Sequence, residues 1–323
     1  MKRGSLITAA FVAAAVGFLG AQGSTEQAAG SRGQAGLAQQ PTFRAGIDLV
    51  RVAAVVRDHK GRFVQDLTVK DFEILESGTR RPIADFRRDL SGVSVALLFD
   101  VSGSMEGHLA KAREAATHVL SWLDARDEVA IFTFDTELRE VTPFTSQLQR
   151  LPDELARVVP FGATSLHDAI AQTAQRVGVR EGRRRGVVVL TDGNDNASRL
   201  GPSAVSVIAS EIDVPVYIFG IVPSIDNPSA DTATMSVERS AFAGPLADLA
   251  NWTGGHVFVA STPGQRSIAA RDIVDELRHQ YLIAFESSGI PGWHPLVVRA
   301  RQKDLVVRAR SGYVAGQSRP SAS

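Results

Sequence analysis

The chain has 323 residues, 44% hydrophobic and 22% charged, with 35 basic and 35 acidic side chains and no cysteine. That length allows about two domains with a sizeable core, and the zero net charge gives no global field toward nucleic acid or an anionic membrane. The missing cysteine excludes disulfides, thiolate metal sites and a cysteine nucleophile.

Residues 1–23 have the layout of a secretory signal peptide. Met1-Lys2-Arg3 is a positive start, Leu6 to Leu19 is apolar apart from Thr8 and Gly17, and Gly20, Ala21 and Gly23 are small, so cleavage is expected after Ala21 or Gly23. The apolar run is shorter than the ~20 residues of a spanning helix; an uncleaved anchor is the alternative. No later stretch is long and apolar enough to span. The mature chain is expected to be exported, to the periplasm or outside the cell, with no membrane span. Residues 24–42, rich in Gly, Ala, Gln and Ser, predict a flexible linker.

Residues 43–90 form the first part of a β subdomain. Ile47, Leu49, Val52 and Val55 lie among polar residues, Asp58-His59-Lys60-Gly61 is a turn, Leu67 to Glu76 reads as a strand, and Ile83 to Phe86 as another. From 91 to 278 the pattern alternates strand and helix. Val93 to Phe99 is near-continuously apolar, as in a strand buried on both faces of a parallel sheet. Leu109, Ala112, Ala116, Val119, Leu120 and Leu123 fall at helical spacing. Strands are expected at 128–134, 138–141, 186–191, 214–221 and 257–259, and helices at 148–158, 166–177, 203–212, 245–252 and 267–278. The class is α/β with a mostly parallel sheet. The segment 223–242 breaks the rhythm and reads as an insertion, long for a connecting loop. Period-two runs return over 279–314, so one antiparallel β subdomain is expected from both ends of the chain, with the α/β domain inserted between them. Residues 315–323 read as a disordered tail. Three arginine clusters, 80–81, 87–88 and 183–185, lack interleaved aromatic residues and read as solvated loop ends.

Two central strands end in chemistry. The first delivers Asp100, then Ser102 and Ser104 at alternate positions around Gly103; the second delivers Asp192 before Gly193. Between them, Thr164 sits in a Gly-Ala-Thr-Ser loop leading into a helix. Ligands of open α/β sheets bind at the carboxyl ends of the strands. Two carboxylates and three hydroxyls make an all-oxygen set, which hard divalent cations prefer: Mg²⁺, or in its place Mn²⁺ or Ca²⁺. The competing reading is strand-end capping without metal. Glu106 and Asp195 lie close by in sequence and read as solvated, or as supporting the ligands from behind, rather than as ligands. His167 and Asp168 invite a catalytic reading, but an Asp is favoured at a helix start in any case.

The order and spacing of Asp100-Val-Ser102-Gly-Ser104, Thr164 and Asp192 resemble the metal-ion-dependent adhesion site of von Willebrand factor A domains. The resemblance runs from about Val93 to Arg278. The whole chain, with its Leu-Thr-Val-Lys-Asp-Phe-Glu-Ile-Leu-Glu strand and closing Val-Arg-Ala-Arg-Ser-Gly-Tyr, is similar to exported VWFA-related proteins of Acidobacteria and similar bacteria. The resemblance implies a Rossmann-like sheet with the cation on its upper edge. It makes Ser102, Ser104 and Thr164 direct ligands and has Asp100 and Asp192 act through metal-bound waters. It also implies a protein partner whose acidic residue fills the open position. Adhesion or envelope assembly, without catalysis, is the function expected. The alternatives are a metal-dependent hydrolase and a metal-stabilised structural component of the envelope. A phosphatase with a nucleophilic Asp wants a second Asp where Ser102 stands, and no Gly-x-Ser-x-Gly, Gly-x-x-x-x-Gly-Lys or Gly-x-Gly-x-x-Gly accompanies the strands.

Overall fold

The computed structural model describes residues 49–88, 92–180, 183–211, 213–222 and 242–315. The expected signal peptide, the linker, the insertion apart from Phe242, and residues 316–323 lie outside them. Four short strands come first: β1 (Leu49–Arg57), β2 (Phe72–Glu76), β3 (Thr79–Arg81) and β4 (Ile83–Arg87). The strand expected over 67–76 starts only at Phe72. The Asp71 carboxylate accepts from both the N–H and the hydroxyl of Thr68, each at 2.7 Å, and holds Val69–Asp71 in a 3-10 turn.

The α/β part follows as β5 (Val93–Asp100), α1 (Leu109–Trp122), β6 (Glu128–Phe134), β7 (Leu138–Thr145), α2 (Asp153–Arg157), α3 (Leu166–Gly178), β8 (Arg184–Thr191), α4 (Pro202–Glu211), β9 (Val216–Ile221), α5 (Pro245–Thr253), β10 (Val257–Ala260) and α6 (Pro263–Arg278). Its sheet has the order β10-β9-β8-β5-β6-β7, and every neighbouring pair is parallel except β6 with β7. Pro143, which cannot donate to a ladder, lies on the edge strand β7, where such a residue is tolerated. β5 is buried at all of its positions. Val95, Leu97 and Phe99 point into a core with α1 and α6, while Ala96 and Leu98 point into a second core with α3, α4 and α5. Period-two side-chain direction divides one apolar run between two cores, and burying each Leu or Val stabilises by about 1.5–3 kcal/mol.

Two further sequence expectations need correction. The helix expected over 148–158 is only Asp153–Arg157. Pro152 disfavours the helical region for Leu151, so the helix starts after it. Arg184 is no solvated loop end: it opens β8, is 8% exposed, and its guanidinium donates to the carbonyls of Gln280 and Arg88.

The chain closes with β11 (Gln280–Glu286), β12 (Gly292–Ala300), β13 (Val306–Ala309) and β14 (Gly312–Ala315). Ala315 pairs with Gly292 and so belongs to the last strand rather than to the expected tail. Early and late strands interleave in two antiparallel sheets, β13-β1-β11-β4 and β14-β12-β2-β3. These share one core, in which Val52, Phe72 and Ile74 meet Tyr281, Phe285, Leu296 and Tyr313. The α/β class with a β unit built from both ends of the chain is therefore as the sequence predicts. The β unit meets the α/β part through Arg57 on Glu276 (3.0 Å), Arg308 on Glu276, and the Ala53 N–H on Asp213 (3.2 Å). Glu276 lies in the last turn of α6 and Asp213 precedes β9, so these contacts fall at the amino end of the parallel sheet. The carboxyl end is the other face.

Candidate functional site

The chain leaves β5 toward β6 and β7 on one side and returns to β8, β9 and β10 on the other. The carboxyl ends of β5 and β8 therefore flank the point where the order reverses, which is where an open α/β sheet forms a crevice. Asp100 ends β5, and Thr191 ends β8, one position past the paired Phe99 and Leu190. The loop before α3 is laid across these ends by backbone bonds. Phe161 N–H donates to Val101 O at 3.0 Å, Gly103 N–H to Gly162 O at 3.0 Å, and Ser165 N–H to Asp135 O at 2.7 Å. Gly162 takes φ +85°, which a side chain would strain. The loop after β8 closes the other side: the Asn196 side-chain oxygen accepts from Thr164 N–H at 2.8 Å, and Thr164 O accepts from Asn196 and Ala197 N–H.

Asp100 is fully buried. Its Oδ1 accepts from the Ser102 N–H (3.0 Å) and hydroxyl (2.6 Å), and its Oδ2 from the Thr191 hydroxyl (2.7 Å). Burial pushes the Asp100 carboxyl up to about 6, against the pull of those hydrogen bonds, and the charge of Asp192 adds to the rise. Four other carboxylates are buried, at 1–7% exposure, and each meets an arginine: Glu76 with Arg81, Asp127 with Arg278, Glu128 with Arg180, Glu276 with Arg57 and Arg308. Among the described residues, no basic side chain pairs with Asp100.

The residues at this crevice suit a small divalent cation. The Ser102 hydroxyl spends its proton on Asp100, which leaves its lone pairs for a metal. The Ser102 and Ser104 oxygens are 3.2 Å apart, close to the edge of about 3 Å in an octahedron with bonds of roughly 2.1 Å. Ser102 and Thr164 are buried, Asp192 is half-buried and Ser104 is exposed, so the set opens outward. Among the described residues, no group of three or more His, Asp or Glu side chains could hold a metal. Any cation held here therefore relies on hydroxyls.

Sequence reasoning missed two residues that build the site, Thr191 and Asn196. Thr191 had a signal: it is a hydroxyl beside Asp192 at the end of a buried strand, where it can face the neighbouring strand's end. Asn196 acts through a loop pairing that spacing does not reveal. Asp195 pairs with His167 Nδ1 at 2.5 Å and accepts from Ser198 N–H at 3.1 Å. Burial raises its carboxyl, but the bonds from His167 and Ser198 outweigh burial and hold it below the usual range. Asp168 accepts from the N–H groups of Arg199 and Leu200 and so fastens the loop after β8 to α3. Glu106 is exposed.

No curated protein matches the chain. Among solved structures, it is similar to an aerotolerance-related membrane protein from Bacteroides fragilis, with 20% identity, 58% of this chain and 98% of that one covered, and a TM-score of 0.47. It is also similar to the conserved hypothetical protein BatB from Bacteroides thetaiotaomicron, with 19% identity, 58% and 98% coverage and a TM-score of 0.45. A von Willebrand factor type A protein from Catenulispora acidiphila has 14% identity, 83% and 73% coverage and a TM-score of 0.44. The stretch that carries Asp100, Ser102, Ser104, Thr164 and Asp192, residues 95–194, matches the family model described as the von Willebrand factor type A domain.

Proposed function

We propose that this chain is a metal-dependent protein-binding module whose cation, of the Mg²⁺ type, sits on Ser102, Ser104 and Thr164, with Asp100 and Asp192 acting through water. The observation that carries this reading is the buried Asp100 carboxylate, which meets three hydrogen-bond donors and no basic side chain among the described residues. A buried charge left in that state is costly unless a counter-ion is supplied. The cation would supply the charge and a coordination position open to an acidic side chain of a partner protein. Because the β unit joins at the opposite end of the sheet, it leaves the carboxyl end accessible to such a partner. Export, in this reading, rests on the sequence of residues 1–23. No described helix is long and apolar enough to cross a membrane.

The test is Mg²⁺ and Mn²⁺ titration of the purified chain by calorimetry. One binding site is expected, lost in Asp100→Ala and Thr164→Ala. Wild-type affinity in both variants would place any bound metal elsewhere.

One observation favours a second reading, a metal-dependent hydrolase: the His167–Asp195 pair at 2.5 Å is an oriented imidazole beside the site. Against it, no Ser or Thr hydroxyl is hydrogen-bonded to that imidazole among the described residues. Turnover of generic phosphate or ester substrates, abolished by His167→Ala, would support the hydrolase instead.

A further inference from the structure

Val159 and Phe161 are the most exposed large hydrophobic residues described, at 79% and 81%. Exposed apolar residues scattered singly are ordinary on protein surfaces. These two are unusual in their placement. Both lie on the loop that carries Thr164, and the backbone of that loop is pinned. Phe161 donates to the carbonyl of Val101, the residue between Asp100 and Ser102, and Gly162 accepts from Gly103. Upstream, the Arg113 guanidinium donates to the carbonyls of Leu155 and Val158, each at 3.0 Å. Pro160 fixes the backbone between the two apolar side chains. A segment bonded at both ends holds the Phe161 ring out in water, at an energetic cost, beside the strand end that carries the hydroxyls.

We propose that Val159 and Phe161 form a fixed apolar lip of the cation site. The partner is then a protein segment whose carboxylate lies next to a bulky apolar side chain. The inference rests on the metal-dependent binding proposed above. Charge complementarity selects the occupant: with only neutral hydroxyls in direct contact and both carboxylates held off by water, a divalent cation stays electrophilic, which calls for an anionic group from outside. The lip adds the second requirement. Phe161 is bonded to Val101, the neighbour of Ser102, and an extended segment advances roughly 3.3 Å per residue, so the side chain over Phe161 is expected within about two positions of the acid. Such a two-point anchor concentrates the binding in a few residues, as interface hot spots do.

The probe is a displayed library of random heptapeptides, panned on the full chain in Mg²⁺ and eluted with chelator. Wild-type protein is expected to select Asp or Glu with Leu, Ile, Phe, Tyr or Trp within two positions. Phe161→Ser is expected to keep the acidic preference and its Mg²⁺ isotherm, lose the apolar preference, and bind a wild-type-selected peptide roughly tenfold more weakly. Val179→Ser is the control. Val179 is 75% exposed at the far end of α3, and its variant should select as wild type does. Acidic peptides without an apolar neighbour, or an apolar preference unchanged in both Phe161→Ser and Val159→Ser, overturn the lip and leave the cation reading standing. Peptides without acidic residues, or indifferent to chelator, overturn the cation reading and the paired anchor with it.

Discussion

The two ends of the parallel sheet treat buried carboxylates in opposite ways. At the amino end, Asp127 takes an N–H from Val93 and an Arg278 guanidinium at 2.5 Å, and Glu128 takes a bidentate Arg180 at 2.7 Å on each oxygen. Glu276, where the β unit joins, has Arg57 and Arg308. At the carboxyl end, Asp100 takes two hydroxyls and one N–H, all neutral. The amino end is electrostatically closed by its own side chains, as suits a structural junction. The carboxyl end is complete in hydrogen bonds and one positive charge short. On the reading proposed above, a fold that pairs these four buried acids with arginine and leaves Asp100 with hydroxyls keeps a place for a charge from outside.

The comparison breaks most sharply at Arg278. Arg278→Met should strip Asp127, 3% exposed, of its cation while its two N–H donors remain. Breaking a buried pair costs about 3–5 kcal/mol; allowing for the partly solvated guanidinium, a loss of about 3 kcal/mol is expected in urea unfolding, seen as a lower midpoint with an unchanged slope. A loss below about 1 kcal/mol would mean the amino end is not held by charge pairing, and the contrast with Asp100 would lose its meaning.

The converse experiment adds the missing charge. Mg²⁺ at about 100 times its dissociation constant should stabilise wild type by about 2.7 kcal/mol through linkage, and chelator should reverse it. Asp100→Asn should not respond, because it lacks the charge a cation would answer. An equal response in Asp100→Asn would detach the metal from this crevice.

How much of this contrast was legible in the sequence follows from range. The fully buried strand β5, and the carboxylates and hydroxyls at the ends of β5 and β8 and on the loop before α3, were visible in the sequence because they depend on local apolarity and local order. The strand order, and with it the reversal between β5 and β8, could not, because pairing is set by contacts distant in sequence. Thr191 is the instructive miss: its role exists only because β8 lies beside β5. Arg184 is another. In an Arg-Arg-Arg run it reads as solvated, yet its guanidinium is drawn inward by carbonyls of Gln280 and Arg88, far away in the chain. The 148–158 helix failed for the opposite reason: apolar spacing outweighed Pro152 in the reading, whereas in the chain the proline's local restriction decides.

His256, just before β10, lies at the arginine-rich end and sharpens the comparison through pH. Burial, then the charge of Arg308, pushes its imidazole from 6.5 down to about 4. The unfolded chain takes up this proton near 6.5 and the folded chain only near 4, so the unfolded state binds more protons between those values. Stability from this residue is therefore whole above pH 6.5 and is lost as pH falls toward 4. In unfolding curves taken across that window, His256→Gln should flatten the slope. An unchanged slope would show that the amino end is not biased against further positive charge.

The smallest effect expected tests the hydroxyls themselves. Thr191→Val keeps the shape of the side chain and removes the donor to Asp100 Oδ2, together with the acceptor for Gly193 N–H at 3.0 Å. A net loss of about 2 kcal/mol is expected without metal, the usual worth of a hydrogen bond to a charged group. The informative reading is the pairing of that loss with Mg²⁺ affinity. If Thr191 serves only to orient Asp100 toward a cation, the variant should bind Mg²⁺ more weakly while Ser102, Ser104 and Thr164 stay in place. If instead the hydroxyls merely compensate a buried acid, stability falls and Mg²⁺ binding does not change. The crevice would then resemble the amino end, closed by its own side chains, with hydroxyls in place of arginines.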